Sequence, residues 1–85
     1  MQPSTTVALE ALSTAIDEAV DTIDLAVGEP AASEDVREAR VAAAGVKDRY
    51  ERLIATLVEP ERSEVQRAIG LKVAKVTGML SRLES

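Results

Sequence analysis

Residues 6–27 read TVALEALSTAIDEAVDTIDLAV, and this stretch decides the fold class. Its apolar residues recur at alternating spacings of three and four, which places them along one side of a helix. The residues in this stripe are Leu9, Leu12, Ile16, Ala19, Ile23 and Ala26. Gly28, followed by Glu29 and Pro30, is a typical helix end, because glycine takes the left-handed cap and proline blocks continuation. The sequence therefore predicts a first helix over 6–27.

A second apolar stripe follows in residues 33–58, SEDVREARVAAAGVKDRYERLIATLV. Its members are Val36, Ala39, Ala43, Val46, Tyr50, Leu53 and Leu57. Ser33 is a suitable N-cap, and the residue before Pro60 is disfavoured in a helix, so we expect a second helix over 34–58. Two such helices with a short link should form an antiparallel hairpin. Pairing across it places Ile16 near Gly45 and Val46, so that a large side chain meets small ones.

The last part of the chain is LIATLVEPERSEVQRAIGLKVAKVTGMLSRL, residues 53–83. We expect a short helix over 61–69, a tight turn at Gly70 and a further helix over 72–83, with Ile69 and Leu71 packed beneath the turn. The predicted fold is all-α: one domain over 1–85, in which an antiparallel helical hairpin precedes two short helices in a helix-turn-helix-like arrangement.

This segment resembles the helix-turn-helix of bacterial and phage transcriptional regulators, including winged-helix repressors and short activators of the lambda type. The resemblance implies a regulator that binds double-stranded DNA as a homodimer or higher oligomer, with 72–83 as the recognition helix. Basic side chains would hold phosphates and hydroxyls would reach base edges. The residues concerned are Arg67, Lys72, Lys75, Thr77, Ser81 and Arg82.

An acidic ridge and a face of small residues support an alternative function. Asp17, Asp21 and Asp24 lie in line on the first helix, and Ala74 and Gly78 suit close packing of another helix. The alternative is a phage-type interaction module or inhibitor that binds a host protein through these residues. The ridge also has a purely structural interpretation as a solvated face, paired with arginines of the second helix such as Arg37 or Arg40.

Composition argues against an enzyme. The 85 residues include no cysteine and no histidine, which removes thiol chemistry, the commonest general base and the commonest metal ligand. The glycines are scattered singly, so no phosphate-cradling loop is present, and we expect neither a metal nor a cofactor. No apolar run is long enough to span a bilayer, and no basic signal segment begins the chain, which favours a cytoplasmic protein.

The net charge of −5 is unevenly distributed. Residues 1–45 contain nine acidic and two basic residues, whereas 46–85 contain six acidic and eight basic ones. Several apolar residues exceed what a small core needs, which indicates association with a second copy or another protein. We expect these to be Val41, Val58, Val73 and Met79.

Overall fold

Three helices make up the computed structural model, which describes residues 2–27 and 33–84. Their bounds are Pro3–Val27 for α1, Ser33–Thr56 for α2 and Glu61–Glu84 for α3, and these described residues contain no strand. Each helix packs against the other two in a bundle that measures 45 × 20 × 15 Å. The prediction of an all-α fold is confirmed. The predicted helix end at Gly28 and Pro30 lies outside the described residues.

The core runs along the stripes that the sequence predicts on α1 and α2, continued by a third stripe on α3. These apolar side chains are removed from water where the three helices meet, and each such burial contributes about 1.5–3 kcal/mol for a Val, Leu or Ile. The buried apolar residues are Leu12, Ile16, Ala19, Ile23, Ala26, Ala39, Ala43, Val46, Leu57, Val65, Ile69, Val73 and Val76.

The prediction of a turn at Gly70 is wrong, because α3 continues through this residue without a break. A single glycine costs only about 1 kcal/mol relative to alanine in a helix interior. The buried stripe of Val65, Ile69, Val73 and Val76 passes across Gly70 at helical spacing, and burying it outweighs that cost. The separate helices over 61–69 and 72–83 are therefore one helix, and the helix-turn-helix arrangement is absent.

The loss of the turn changes which apolar residues face water. Leu71, predicted beneath the turn, is 83% exposed, whereas Val73, predicted on the surface, is only 6% exposed. Met79 is half-buried, also contrary to the prediction. Val41 and Val58 are exposed as predicted, although α2 ends at Thr56 and not at the predicted residue 58, so that Val58 lies just beyond the helix.

Gly45 does not pack against Ile16 as the hairpin pairing predicts. Val46 and Ile16 are both buried, but Gly45 is exposed, and apart from the helix's own nearby backbone no atom lies within 4 Å of where its Cβ would be. The hairpin forms with Gly45 turned outward, because Ala43 and Val46 occupy the inner positions of this turn of α2.

Hydrogen bonds fix the connection between the second and third helices at one end of the bundle. The guanidinium of Arg62 donates to the carbonyl oxygen of Leu57, with Nη2 at 2.8 Å, just beyond the last residue of α2. At the start of α3, the Thr5 hydroxyl donates to Glu61 Oε1 at 3.2 Å, and the backbone N–H of Gln2 donates to Glu61 Oε2 at 3.0 Å. The start of α1 is therefore held level with the start of α3, and both helices run in the same direction.

Candidate functional site

The outward side of α3 carries an exposed apolar residue with basic and small neighbours. Arg67, Leu71, Ala74, Lys75 and Gly78 follow each other at helical spacing, and all five are exposed. We call these five residues the α3 outer surface. Apart from the helix's own nearby backbone, no atom lies within 4 Å of a Cβ placed on Gly78, so the backbone here is open to an approaching partner. Beside Leu71, the side chains of Ser63, Gln66 and Arg67 line a shallow depression.

The residues that the helix-turn-helix resemblance singled out all lie on α3, but they do not form the predicted reading face. Lys72 is in the middle of the helix and not at its start. Thr77 lies five residues further on, which corresponds to about 140° around the helix, and its hydroxyl donates to the carbonyl of Val73 at 3.2 Å. Arg67, Lys75, Ser81 and Arg82 are exposed, like the other two. A continuous helix therefore spreads these six residues around its surface.

The acidic ridge of α1 lies beside α3. Asp17 and Asp21 line one groove with Lys72 and Lys75, and the floor of this groove is formed by Ile16 and Val20. The groove has a volume of about 330 Å³. The structure therefore brings two carboxylates predicted to bind a partner next to two lysines predicted to bind DNA. Asp24 is exposed further along α1.

The two arginines predicted to neutralise the ridge do not line this groove. Arg37 and Arg40 line a depression with Ser33 and Val36 at the start of α2. The cations that line the groove with Asp17 and Asp21 are Lys72 and Lys75 of α3. Sequence periodicity alone does not show this, because it does not say which helix follows α1 around the bundle.

Charge is divided sharply among the three helices. α1 contains five acidic residues and no basic one, and α2 contains five of each sign. α3 contains five basic residues and three acidic ones. The acidic and basic helices are neighbours, so one lateral face of the bundle has a negative and a positive half.

A second groove, between α1 and α2, was not predicted from the sequence. Its floor is apolar, its volume is about 330 Å³, and Arg49 and Arg52 stand at its rim. Arg52 Nε also lies 3.0 Å from Asp48 Oδ2 in an exposed ion pair. The groove is lined by Ala8, Ala11, Leu12, Arg49, Arg52, Leu53 and Thr56. The only sequence signal for it is the spacing of alanines beside the α1 stripe.

Neither a metal-ligand cluster nor a membrane-spanning helix occurs in the part of the chain that the structure describes. Within 2–27 and 33–84, no three His, Cys, Asp or Glu side chains are grouped so as to hold a metal ion. None of the three described helices combines the length and apolar character needed to cross a membrane.

Comparison with known proteins identifies a helical family. A sequence model described as the embryogenesis-like protein helical domain matches residues 6–85. No curated protein and no solved structure matches the chain. The resemblance to helix-turn-helix regulators is therefore wrong: the matching family is a different one, and α3 lacks the turn on which that resemblance depended.

Proposed function

This chain belongs to the family of the embryogenesis-like protein helical domain, and we propose that it is a protein-interaction module that binds through the α3 outer surface. The single observation that carries the proposal is the exposure of Leu71, which is the most exposed of the large apolar residues in the described chain. Burial of a leucine side chain in an interface contributes about 1.5–3 kcal/mol relative to leaving it in water. A leucine at the centre of a solvent-facing helix surface therefore favours a partner that covers it.

Small residues next to Leu71 support a helix as the element that docks there. Ala74 lies three residues after Leu71, and Gly78 lies four residues after Ala74. No large side chain therefore projects from the helix on this side of the leucine. The distance between two packed helix axes depends on the side chains at the contact and lies at about 8–10 Å. Helices that bind in this way present apolar anchors at similar spacing. We infer that the partner contributes an amphipathic helix.

The charges at the edge of the surface indicate an acidic partner. Arg67 and Lys75 are exposed on either side of Leu71, and Lys72 stands next to it. Complementary charge at the rim of an interface directs association and disfavours partners of the wrong sign. A partner helix whose apolar stripe is flanked by carboxylates would be complementary to this surface.

The same features do not favour the predicted binding to DNA. That prediction depended on a recognition helix that begins after a turn, and α3 is a single helix. Base readout needs polar side chains at the centre of the contacting face, and here the centre is Leu71. The expectation that the chain is not an enzyme is part of the proposal, and the lack of histidine and cysteine supports it.

Photo-crosslinking in cells tests the proposal. A photoreactive residue replaces Leu71 in the full chain, and a matched variant carries it at Val41, which is 67% exposed on α2. We expect a discrete protein adduct from position 71, weakened when Arg67 and Lys75 are both changed to glutamate, and none from position 41. Equal labelling at both positions, or no adduct at position 71, would contradict the proposal.

A further inference from the structure

We propose that the partner of the α3 outer surface is the acidic helix α1 of a second copy, in a parallel dimer with twofold symmetry. This inference rests on the proposed function, because it names the occupant of the same surface. α1 has five carboxylates and no basic residue, and its half-buried Val20 lines the α1–α3 groove beside Asp17 and Asp21. It therefore has the acidic and apolar character that the α3 outer surface requires.

The charge pattern selects one orientation of the two copies. On the lateral face formed by α1 and α3, a twofold axis parallel to the helices places α1 of each copy against α3 of the other. An axis across the helices would instead place the two acidic helices against each other. Like charges in direct contact across an interface are strongly unfavourable. The parallel arrangement is therefore the one that the electrostatics permits.

The charges also match in height along the bundle. The hydrogen bonds to Glu61 hold Thr5 and Glu61 at one level, and a helix rises about 1.5 Å per residue. Asp17 then lies about 18 Å above that level, between Lys72 at about 16.5 Å and Lys75 at about 21 Å. Because a twofold axis parallel to the helices preserves height, these levels also apply between copies.

The same calculation matches the two ends of the face. Glu10 lies about 7.5 Å above the level of Glu61 and Arg67 about 9 Å above it. Asp24 and Arg82 lie at about 28.5 Å and 31.5 Å. Acidic residues of one copy therefore lie level with basic residues of the other at three successive heights, over most of the length of the helices.

The contact has the size and the apolar centre that a dimer needs. Half-buried Val20 lines the groove between the two charged halves, and on α3 Leu71 and Met79 each lie one turn from Lys75. A lateral face of a body measuring 45 × 20 × 15 Å offers about 700–900 Å², against roughly 800 Å² per partner in a standard interface. In the resulting four-helix arrangement, each acidic helix has a basic helix on both sides.

Charge reversal with mixing tests the dimer. One variant carries Asp17→Lys and Asp21→Lys, and the other carries Lys72→Glu and Lys75→Glu. We expect the wild-type chain to sediment as a dimer at low salt, and each variant alone to dimerise at least about tenfold more weakly. An equimolar mixture of the variants should form a 1:1 heterodimer, because both interchain contacts are again between opposite charges. A control with Lys47→Glu and Arg49→Glu on α2 should dimerise like the wild type.

Three results would overturn the dimer: a monomeric wild-type chain, variants that dimerise like the wild type, or a mixture that stays monomeric. Should circular dichroism show that a reversed variant is unfolded, the neutral pairs Asp17→Asn with Asp21→Asn, and Lys72→Gln with Lys75→Gln, replace it. Each neutral pair should weaken the wild-type dimer several-fold, and unchanged dimerisation would count against the proposal. A monomeric chain that still gives a foreign adduct at position 71 would end this inference and leave the proposed function standing.

Orientation is tested with labels on cysteines, since the chain contains none of its own. Val7→Cys and Leu25→Cys lie 18 residues apart on α1, which corresponds to about 27 Å along the axis. In a parallel dimer, two labels at position 7 are closer than a label at 7 and one at 25 of the other copy. The reverse order of distances would show an antiparallel dimer and overturn the proposed arrangement.

Discussion

The hydroxyl oxygen of Tyr50 lies 3.2 Å from the position that a Cβ atom would take at Gly70. The tip of a side chain on α2 thus occupies the space beside α3 that a larger residue at position 70 would need. The absence of a side chain at Gly70 leaves room for this contact inside an unbroken helix. Tyr50, the one aromatic residue of the chain, thus gives a structural reason for a glycine at position 70, where the sequence predicted a turn.

Gly70→Ala should therefore fail to give the increase in stability that alanine normally gives in a helix, about 1 kcal/mol. The new methyl group crowds the Tyr50 hydroxyl, which must shift by a few tenths of an ångström, and the resulting strain offsets the gain. In a Tyr50→Phe background the hydroxyl is gone, and the gain should return. Urea denaturation of the four chains measures the coupling between the two positions. Independent effects of the two substitutions would contradict the contact.

Gly45→Ala should raise the free energy of unfolding by about 1 kcal/mol, because the glycine is helical and nothing lies within 4 Å of the new atom. The same denaturation experiment measures this, with Gly70→Ala as the matched comparison in which space is restricted. A destabilised Gly45→Ala chain would show that this turn of α2 packs against something absent from the monomer.

Glu61→Ala should lower stability by about 1–3 kcal/mol, since it removes the acceptor for both Gln2 and Thr5 and leaves the buried Thr5 hydroxyl unpaired. Glu64→Ala is the control, because Glu64 also lies in the first turn of α3 and, like Glu61, interacts favourably with the helix dipole. Thermal unfolding of both variants separates the two effects. An equal loss in each would mean that the dipole, and not the hydrogen bonds, stabilises this end.

Ile23→Ala should destabilise the bundle by about 2–5 kcal/mol, because it leaves a cavity where the three helices meet. Leu25→Ala, two residues away and 75% exposed, should change the stability of the monomer by no more than about 0.5 kcal/mol. Chemical denaturation at low protein concentration compares the two. Similar losses from both substitutions would contradict the burial pattern of α1.

Leu71→Ser should leave the stability of the monomer nearly unchanged and weaken association. Its side chain lies in solvent within one copy, and in the complex that we propose the partner covers it, so burial contributes only when that complex forms. Val41→Ser on α2 is the control and should affect neither property. Light scattering over a range of concentrations measures association, while denaturation measures stability. A Leu71→Ser chain that associates like the wild type would place the interface elsewhere.

Periodicity predicted α1, α2 and the residues they bury, because three-four spacing is a local property that burial then satisfies. It also predicted exposed Val41 and Val58. The prediction failed at Gly70. Glycine is a local signal for a turn, but burial of the apolar stripe on both sides of Gly70 keeps the chain helical there. Val73 and Leu71 were misassigned for the same reason, since a turn between them would have rotated everything that follows.

The sequence predicted individual residues of the candidate surface, but it did not predict that they lie together. Asp17, Asp21, Ala74, Lys75 and Gly78 were identified from the sequence, but under two competing functions. Joining them needs the order of the helices around the bundle, which places α1 next to α3. Leu71 carries no sequence signal of exposure once a turn is assumed.

By itself the sequence determined the helical class, the hairpin, most of the core and the separation of charge, because spacing and composition fix each of these locally. Only the tertiary structure decided that α3 is unbroken, that Gly70 makes room for Tyr50, and that the acidic and basic helices share a face. The physical reason is that each depends on contacts between residues far apart in the chain. Whether a glycine ends a helix is determined by the free energy of burying the residues on both sides of it.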